Sequence, residues 1–319
     1  MPESSEEYRV WDDLLEILVC PNCKCRLNMD GNAFTCSACR ANYPLLRGIP
    51  RFVPEQAYVG SFGFQWTKHA HTQLHRNGTY YSEKNFREIL EIEPAKIRGK
   101  LVLDAGCGMG RYAELASRYG ARVIGVDLSR AVESAATNLR ARSNVQILQG
   151  DLMNLPFAEG TFDFIYSIGV LHHTPSCESA FRKLARTLKP GGRIVIWLYS
   201  GYSPLGYRMS DFYRKLTTRM PNRLLYALCY IAVPLGWFDQ VLCKIRLNLL
   251  ARMLRVLIPF SPHENWRWRV LDTFDWYSPR YQSKHTYEEV FRWFESEGLA
   301  NVRILKSSIG MEGQKPIQQ

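Results

Sequence analysis

Three apolar runs near the middle of the chain each stop at a carboxylate. Leu101-Val102-Leu103 precedes Asp104, Val123-Ile124-Gly125-Val126 precedes Asp127, and Ile147-Leu148-Gln149-Gly150 precedes Asp151. Short runs of this kind predict buried strands of a parallel sheet. A fourth run, Phe162–Ile168, and a fifth, Arg193–Tyr199, follow at intervals that leave room for crossover helices. Acids at the ends of such strands fall along one edge of the sheet, where open α/β folds hold ligands. Further on, Thr286-Tyr287-Glu288-Glu289 is a capping box that opens a helix ending near Gly298. A short strand at Val302–Leu305, with room for one more, closes the sheet.

About eighty-five residues separate the fifth strand from that helix, so a helical insertion is predicted over 201–285. Leu224–Phe238 is uncharged but holds Pro234 and Gly236. It falls short of the ~20 residues that span a bilayer, so a transmembrane helix is not expected. Val241–Phe260 predicts one amphipathic helix. Lys244, Asn248, Ala251, Arg252 and Arg255 share one face; Leu242, Ile245, Leu249, Leu250, Met253, Leu254 and Leu257 cover most of the rest, and only Arg246 breaks the pattern.

The loop after the first of these strands, Asp104-Ala105-Gly106-Cys107-Gly108-Met109-Gly110-Arg111, narrows the ligand. A dinucleotide fingerprint needs G-x-G-x-x-G, and a P-loop needs Gly-Lys followed by Ser or Thr. Here the spacing is G-x-G-x-G, and a carboxylate precedes the first glycine. That acid is badly placed for a diphosphate and well placed for a cation. A nucleoside with a positive amino-acid tail fits, and S-adenosylmethionine is such a molecule.

Residues 100–199 resemble the class I S-adenosylmethionine-dependent methyltransferases. The matching segments are Val102–Gly108, Gly125–Ser129, Gly150–Leu152, Phe162–His173 and Leu188–Arg193. The resemblance implies an α/β fold with a Rossmann-like sheet. It also implies that Gly106, Gly108 and Gly110 let the backbone approach the methionine part, whose amino group lies near Asp104. Asp127 would accept from the ribose hydroxyls and Asp151 would read the adenine amino group, with Leu128 and Leu152 walling the ring.

At the front, Cys20-Pro21-Asn22-Cys23 and Cys36-Ser37-Ala38-Cys39 are two C-x-x-C pairs, with Asp30-Gly31 as a turn between two short strands. Four thiolates at this spacing predict a closed structural Zn2+ site, with Cys25 a neighbour and not a ligand. The ribbon, 10–55, resembles small bacterial zinc-ribbon proteins related to a eukaryotic methyltransferase activator. Its fusion to a methyltransferase is similar to the large-subunit rRNA guanine-N1 methyltransferases, which place a histidine among the ligands where Cys39 stands here. A closed site offers no open position for chemistry, which favours scaffolding over substrate contact. The expected division is ribbon 10–55, linker and pocket-capping segment 56–98, core 99–200, basic lid 201–285 and closing helix and strands 286–312. The linker holds Phe62-Gly63-Phe64-Gln65-Trp66 and Tyr80-Tyr81, aromatics suited to capping the pocket or to packing between domains.

Charge separates the parts further. The formal charge is +11, yet Gly201–Val270 holds eleven Lys/Arg against three Asp/Glu, so the bias belongs to the insertion. Three uses of that segment are open: a lid over the site, contact of 224–260 with an anionic membrane surface, or a grip on RNA through Trp266-Arg267-Trp268-Arg269. Acids at positions 3, 6, 7, 12, 13 and 16 exclude an apolar signal core, and nine cysteines then point to reduced thiols or metal. The expectation is a cytoplasmic protein, peripheral to the membrane if the second use holds.

Methyl transfer is an in-line displacement that needs an aligned acceptor and, for a hydroxyl, a base. His172 and His173, after the fourth strand, are the candidates. Asp272, Asp275, Tyr277, Tyr281 and His285 form a second polar and aromatic cluster. Enzymes that methylate exocyclic base amines carry Asn/Asp-Pro-Pro-Tyr where this chain has Ser167–His173, a segment similar to methyltransferases of small molecules and quinone or fatty-acyl intermediates. The expected function is methylation of a small or lipid-linked molecule, at oxygen. The alternatives are an rRNA or tRNA base methyltransferase and a cofactor-binding partner protein without catalysis of its own.

Overall fold

The computed structural model describes residues 10–53, 81–202 and 204–317. Phe62–Trp66 and Tyr80 lie outside the described residues, as does most of the 56–98 segment.

The chain opens with a turn of helix, α1 (Leu14–Ile17), and four short antiparallel strands in sequential order: β1 (Leu27–Asp30), β2 (Ala33–Cys36), β3 (Asn42–Leu46) and β4 (Ile49–Pro50). Gly31 turns β1 into β2, as its pairing with Asp30 predicts. This sheet packs on the core directly. Leu14, Leu18, Phe34 and Phe52 share one apolar cluster with Leu148, Leu152, Leu155 and Phe157.

After α2 (Tyr81–Leu90) comes the central sheet of β5 (Leu101–Ala105), β6 (Arg122–Asp127), β7 (Val145–Gln149), β8 (Phe162–Ile168), β9 (Leu188–Trp197), β10 (Ala300–Ile304) and β11 (Gly310–Gln314). Its order is β10-β11-β9-β8-β5-β6-β7. Strands β5 to β9 are parallel, whereas β11 runs antiparallel to β9 and to β10. The apolar runs are buried from both sides, with Val102, Leu103, Val123, Ile124 and Val126 all at 0% exposure. The helices α3 (Arg111–Arg118), α4 (Ala131–Leu139), α5 (Cys177–Arg186) and α11 (Tyr287–Ser296) accompany them. Thr286 caps α11, its hydroxyl accepting the Glu289 N–H. The strand order reverses between β5 and β8, which makes their carboxyl ends the switch point of the sheet.

The insertion is helical, in five pieces: α6 (Pro204–Thr217), α7 (Asn222–Cys229), α8 (Ala232–Lys244), α9 (Asn248–Leu257) and α10 (Trp266–Tyr277). Leu225, Cys229, Val270, Phe274 and Tyr277 form its small core. Two expectations are corrected here. The single helix over Val241–Phe260 is two helices, broken where Arg246 takes φ +62°. The Arg246 N–H donates to the Cys243 carbonyl and the Leu247 N–H to the Leu242 carbonyl, which closes α8 with a Schellman turn. The one residue that broke the amphipathic pattern marks the helix end.

The second correction concerns length. Asn222–Lys244 makes an almost continuous helical stretch of 23 residues, long and apolar enough to cross a membrane by length and composition. The uncharged run alone understated it because α7 and α8 extend past its ends. Pro234 has no N–H for the Tyr230 carbonyl, and the stretch loosens at Tyr230–Ile231. Its inner side is pinned: Arg269 donates to the Val233 and His263 carbonyls and lies over Gly236, where a Cβ would stand 2.2 Å from its Cζ.

Candidate active site

A cavity of about 720 Å³ lies over the switch point, between the core and the insertion. Its floor is built from loop backbone. The Gly106 and Cys107 N–H groups donate to the Val126 carbonyl, which folds the glycine loop back over β6. Gly106 has φ +92°, and a Cβ there would sit 2.4 Å from both γ-methyls of Val170, so only glycine lets the two loops meet. Asp127 closes the turn: its Oδ2 accepts the Gly108 N–H at 2.9 Å, and its Oδ1 accepts the Ser129 N–H and hydroxyl.

Of the residues singled out for the methyl donor, Gly106, Gly108, Asp127, Leu128, Asp151 and Leu152 line the cavity. Asp151 Oδ1 accepts the Met153 N–H at 2.8 Å, which orders the loop after β7. Gly110 sits at the entrance to α3, outside the lining. Asp104 lies behind the loop, 2% exposed, and its Oδ2 has no hydrogen-bond partner among the described residues. Burial, reinforced by the nearby Asp127 charge, pushes its carboxyl up to about 8. A buried acid with an orphaned oxygen suits a site that receives a cation, because the cation restores what desolvation removed.

The opposite wall is aromatic and acidic. Trp197, Trp268, Leu271, Trp276 and Pro259 surround His173, Tyr199, Asp272 and Asp275. His173 Nδ1 meets the Tyr281 carbonyl at 3.0 Å. A carbonyl only accepts, so that nitrogen carries the proton and Nε2 keeps the lone pair. Burial holds the imidazole below its ordinary pKa, and therefore neutral, although the Asp275 charge opposes the shift. His172 is fully buried outside the lining, its ring 3.9 Å from that of Tyr199. The tandem pair is thus divided, one ring at the cavity and one in the packing behind it.

Asp272 accepts the Ser261 hydroxyl at 3.1 Å; burial and the neighbouring Asp275 push its carboxyl up to about 7. Asp275 accepts the Tyr199 hydroxyl at 3.2 Å. Tyr281 of the second cluster meets His173 through its carbonyl, and the other two members lie elsewhere. Tyr277 is in the small core of the insertion, its hydroxyl donating to the Pro259 carbonyl, and His285 joins Ser283 and Glu289. Sequence reasoning missed Arg111, whose guanidinium lies 4.5 Å from the Tyr112 ring and 5.3 Å from that of Trp268. Its position just after the glycines was the available signal.

The four cysteines of the front sheet converge. Their Sγ atoms lie within 4.8 Å of one another, with Cys20–Cys39 at 3.5 Å and Cys23–Cys36 at 3.4 Å. Ligands about 2.3 Å from a tetrahedral metal stand about 3.8 Å apart, so the donor set fits. Cys25 is outside the group and exposed. The same unit grips the loop after β7: Val19 and Phe52 N–H groups donate to the Pro156 and Gln149 carbonyls, Ala158 N–H to Ile17, and Lys24 to Leu155. Arg51 adds a bond to the Gln149 side chain at 2.9 Å.

A seven-stranded sheet with one antiparallel strand, a glycine loop at its switch point and acids at successive strand ends make an α/β fold like that of Rossmann-like methyltransferases. Residues 103–196 match the family described as a methyltransferase domain. Among curated relatives, the sterol 24-C-methyltransferase of Eremothecium gossypii is 32% identical over 146 residues, 44% of this chain and 35% of that protein. The chloroplastic tocopherol O-methyltransferase of Arabidopsis thaliana is 31% identical over 201 residues, 54% of this chain and 56% of that one. The chain thus spans about a third of the first relative and just over half of the second. A solved complex between a Haloferax volcanii methyltransferase activator and a methyltransferase aligns with TM-score 0.47 at 15% identity, covering 81% of this chain and 99% of that one.

Proposed function

We propose that the protein is cytoplasmic and transfers a methyl group from S-adenosylmethionine to a hydroxyl of a small or lipid-linked molecule. The observation that carries this reading is the division of one cavity into two halves. One half is loop backbone with Asp127 and Asp151; the other is walled by indoles and holds His173, Asp272 and Asp275. Gly106, Gly108, Asp127, Asp151, Leu128 and Leu152 would hold the donor, which when bound supplies an activated methyl group. An apolar acceptor would lie against Trp197, Trp268, Leu271 and Trp276. His173, neutral and with Nε2 as acceptor, would take the hydroxyl proton as the bond to carbon forms. Asp275 holds Tyr199 in place beside it. The sterol and tocopherol relatives act on apolar molecules according to their names, which supports an acceptor of that kind.

Cys20, Cys23, Cys36 and Cys39 would bind one structural zinc, whose role is to keep the front sheet folded against the loop after β7. The experiment is methyl transfer from labelled cofactor into fractionated small-molecule, lipid and RNA extracts. Label in an alkali-stable ether of an apolar compound supports the reading. Label confined to RNA, or none in any fraction from a protein that binds the cofactor, overturns it.

A further inference from the structure

The insertion is built inside out. The leucine-rich face of α9 is left uncovered: Ala251 is the only residue of α9 that is buried, while Leu249 is 72% exposed and Leu250, Met253 and Leu257 about half exposed. Helix α8 does the same: its buried stripe is Ala232, Gly236, Asp239 and Leu242, and Trp237, 67% exposed, stands outside with Phe238. Sixteen of the twenty-two exposed large hydrophobic side chains among the described residues fall between Phe212 and Trp266. Such a concentration exceeds the scattered exposure of an ordinary soluble surface and marks a contact face.

The charges around it are almost all positive. Arg214 and Arg269 are buried in carbonyl contacts, and Arg255 pairs with Asp239 at 3.1 Å. The other eight cations, Arg208, Lys215, Arg219, Arg223, Lys244, Arg246, Arg252 and Arg267, are exposed and form no ion pair among the described residues. Of the three acids in this stretch, Asp239 is buried, Asp211 is taken by Lys284, and only Glu264 is left exposed without an ion pair among the described residues. Exposed apolar side chains interleaved with unpaired cations complement a surface that is apolar below and anionic above.

We propose that the outer face of α7, α8 and α9 lies on an anionic lipid bilayer, with Leu249, Met253 and Trp237 seated among the acyl chains and the exposed cations at the headgroups. This rests on the reading above for the cavity's role and deepens it by locating the acceptor. Ser210, Arg255, Pro259, Trp268 and Leu271 of the same insertion line the cavity, so a molecule held in the bilayer enters the site from the docked side. The geometry favours lying on the membrane over crossing it. Spanning by Asn222–Lys244 would pull Gly236 from Arg269 and strand Asp239 in hydrocarbon.

The test is flotation of the full-length protein with vesicles of phosphatidylcholine, with and without phosphatidylglycerol, alongside light scattering and calorimetric titration with S-adenosylmethionine. The wild-type protein floats with the anionic vesicles at least tenfold more than with neutral ones, and an alkaline carbonate wash releases it. Leu249→Glu with Met253→Glu abolishes flotation, and Arg219→Glu with Lys244→Glu reduces it by tenfold or more. Both variants keep wild-type cofactor affinity, which shows that they fold. Absence of flotation overturns the proposal, as does resistance to carbonate. So does a dimer dissociated by Leu249→Glu, because a second copy then covers the face. Cofactor binding is read separately, so a docked protein that fails to bind S-adenosylmethionine refutes the methyltransferase reading alone.

Discussion

Asp127 reaches back across the glycine loop to Gly108, whose N–H donates to its Oδ2 at 2.9 Å. The acid therefore shapes the loop before any ligand arrives, while its remaining acceptor capacity faces the cavity. Asp127→Ala removes a charge-assisted acceptor worth about 1.5–3 kcal/mol, so S-adenosylmethionine affinity should fall roughly ten- to a hundredfold in calorimetry.

His173 and His172 differ in setting, and their variants should differ in kind. His173→Gln should lower the transfer rate by about 10²–10⁴ with little change in cofactor affinity. His172→Ala leaves a hole against Tyr199 and should cost about 2–4 kcal/mol of stability in urea unfolding, with activity recovered at low temperature.

The Asp272 carboxyl, raised to about 7 in the fold from an ordinary 3.8, carries a pH signature. Between those values the folded protein holds a proton that the unfolded chain has released. Its contribution is thus complete below pH 4 and lost as pH rises through about 7. Asp272→Asn should flatten that part of the profile. The variant's melting temperature should gain on wild type from pH 5 to pH 8; a constant difference would contradict the assignment.

Metal analysis should return about one zinc per chain, reduced in Cys36→Ser. Loss of the metal loosens the sheet that holds Gln149, Leu155 and Pro156. Cofactor affinity should then fall roughly fivefold or more, although no cysteine of the cluster lines the cavity.

Gly106→Ala should destabilise the protein by about 2–4 kcal/mol, through positive φ and the clash with Val170. Adding Val170→Ala should recover the steric part and leave about 1–2 kcal/mol, measured by denaturant titration.

The sheet, its acids, the loop and the cysteine knuckle were legible because each depends on residues close together in sequence. A strand buried on both faces must be apolar, and a thiolate shell needs its spacing. The insertion was legible only as helix. Periodicity across Val241–Phe260 defines an apolar face without saying whether protein covers it, and here the contacts pass through Ala251 instead. Trp266-Arg267-Trp268-Arg269 shows the same limit. Trp268 turns to the cavity, Arg269 is buried over Gly236, and only Trp266 and Arg267 face outward. Which side of a helix finds a partner is decided by distant residues, as with Asp239 meeting Arg255.

The insertion of β11 between β9 and β10 also sets an order of events during translation. Among the described residues, 310–314 leave the ribosome after every other strand and after the helices of the insertion. Until they arrive, β9 presents a row of unpaired peptide groups beside freshly made apolar helices, a combination that favours aggregation. Changes at this last strand should register first as lost soluble yield and only then as lost turnover.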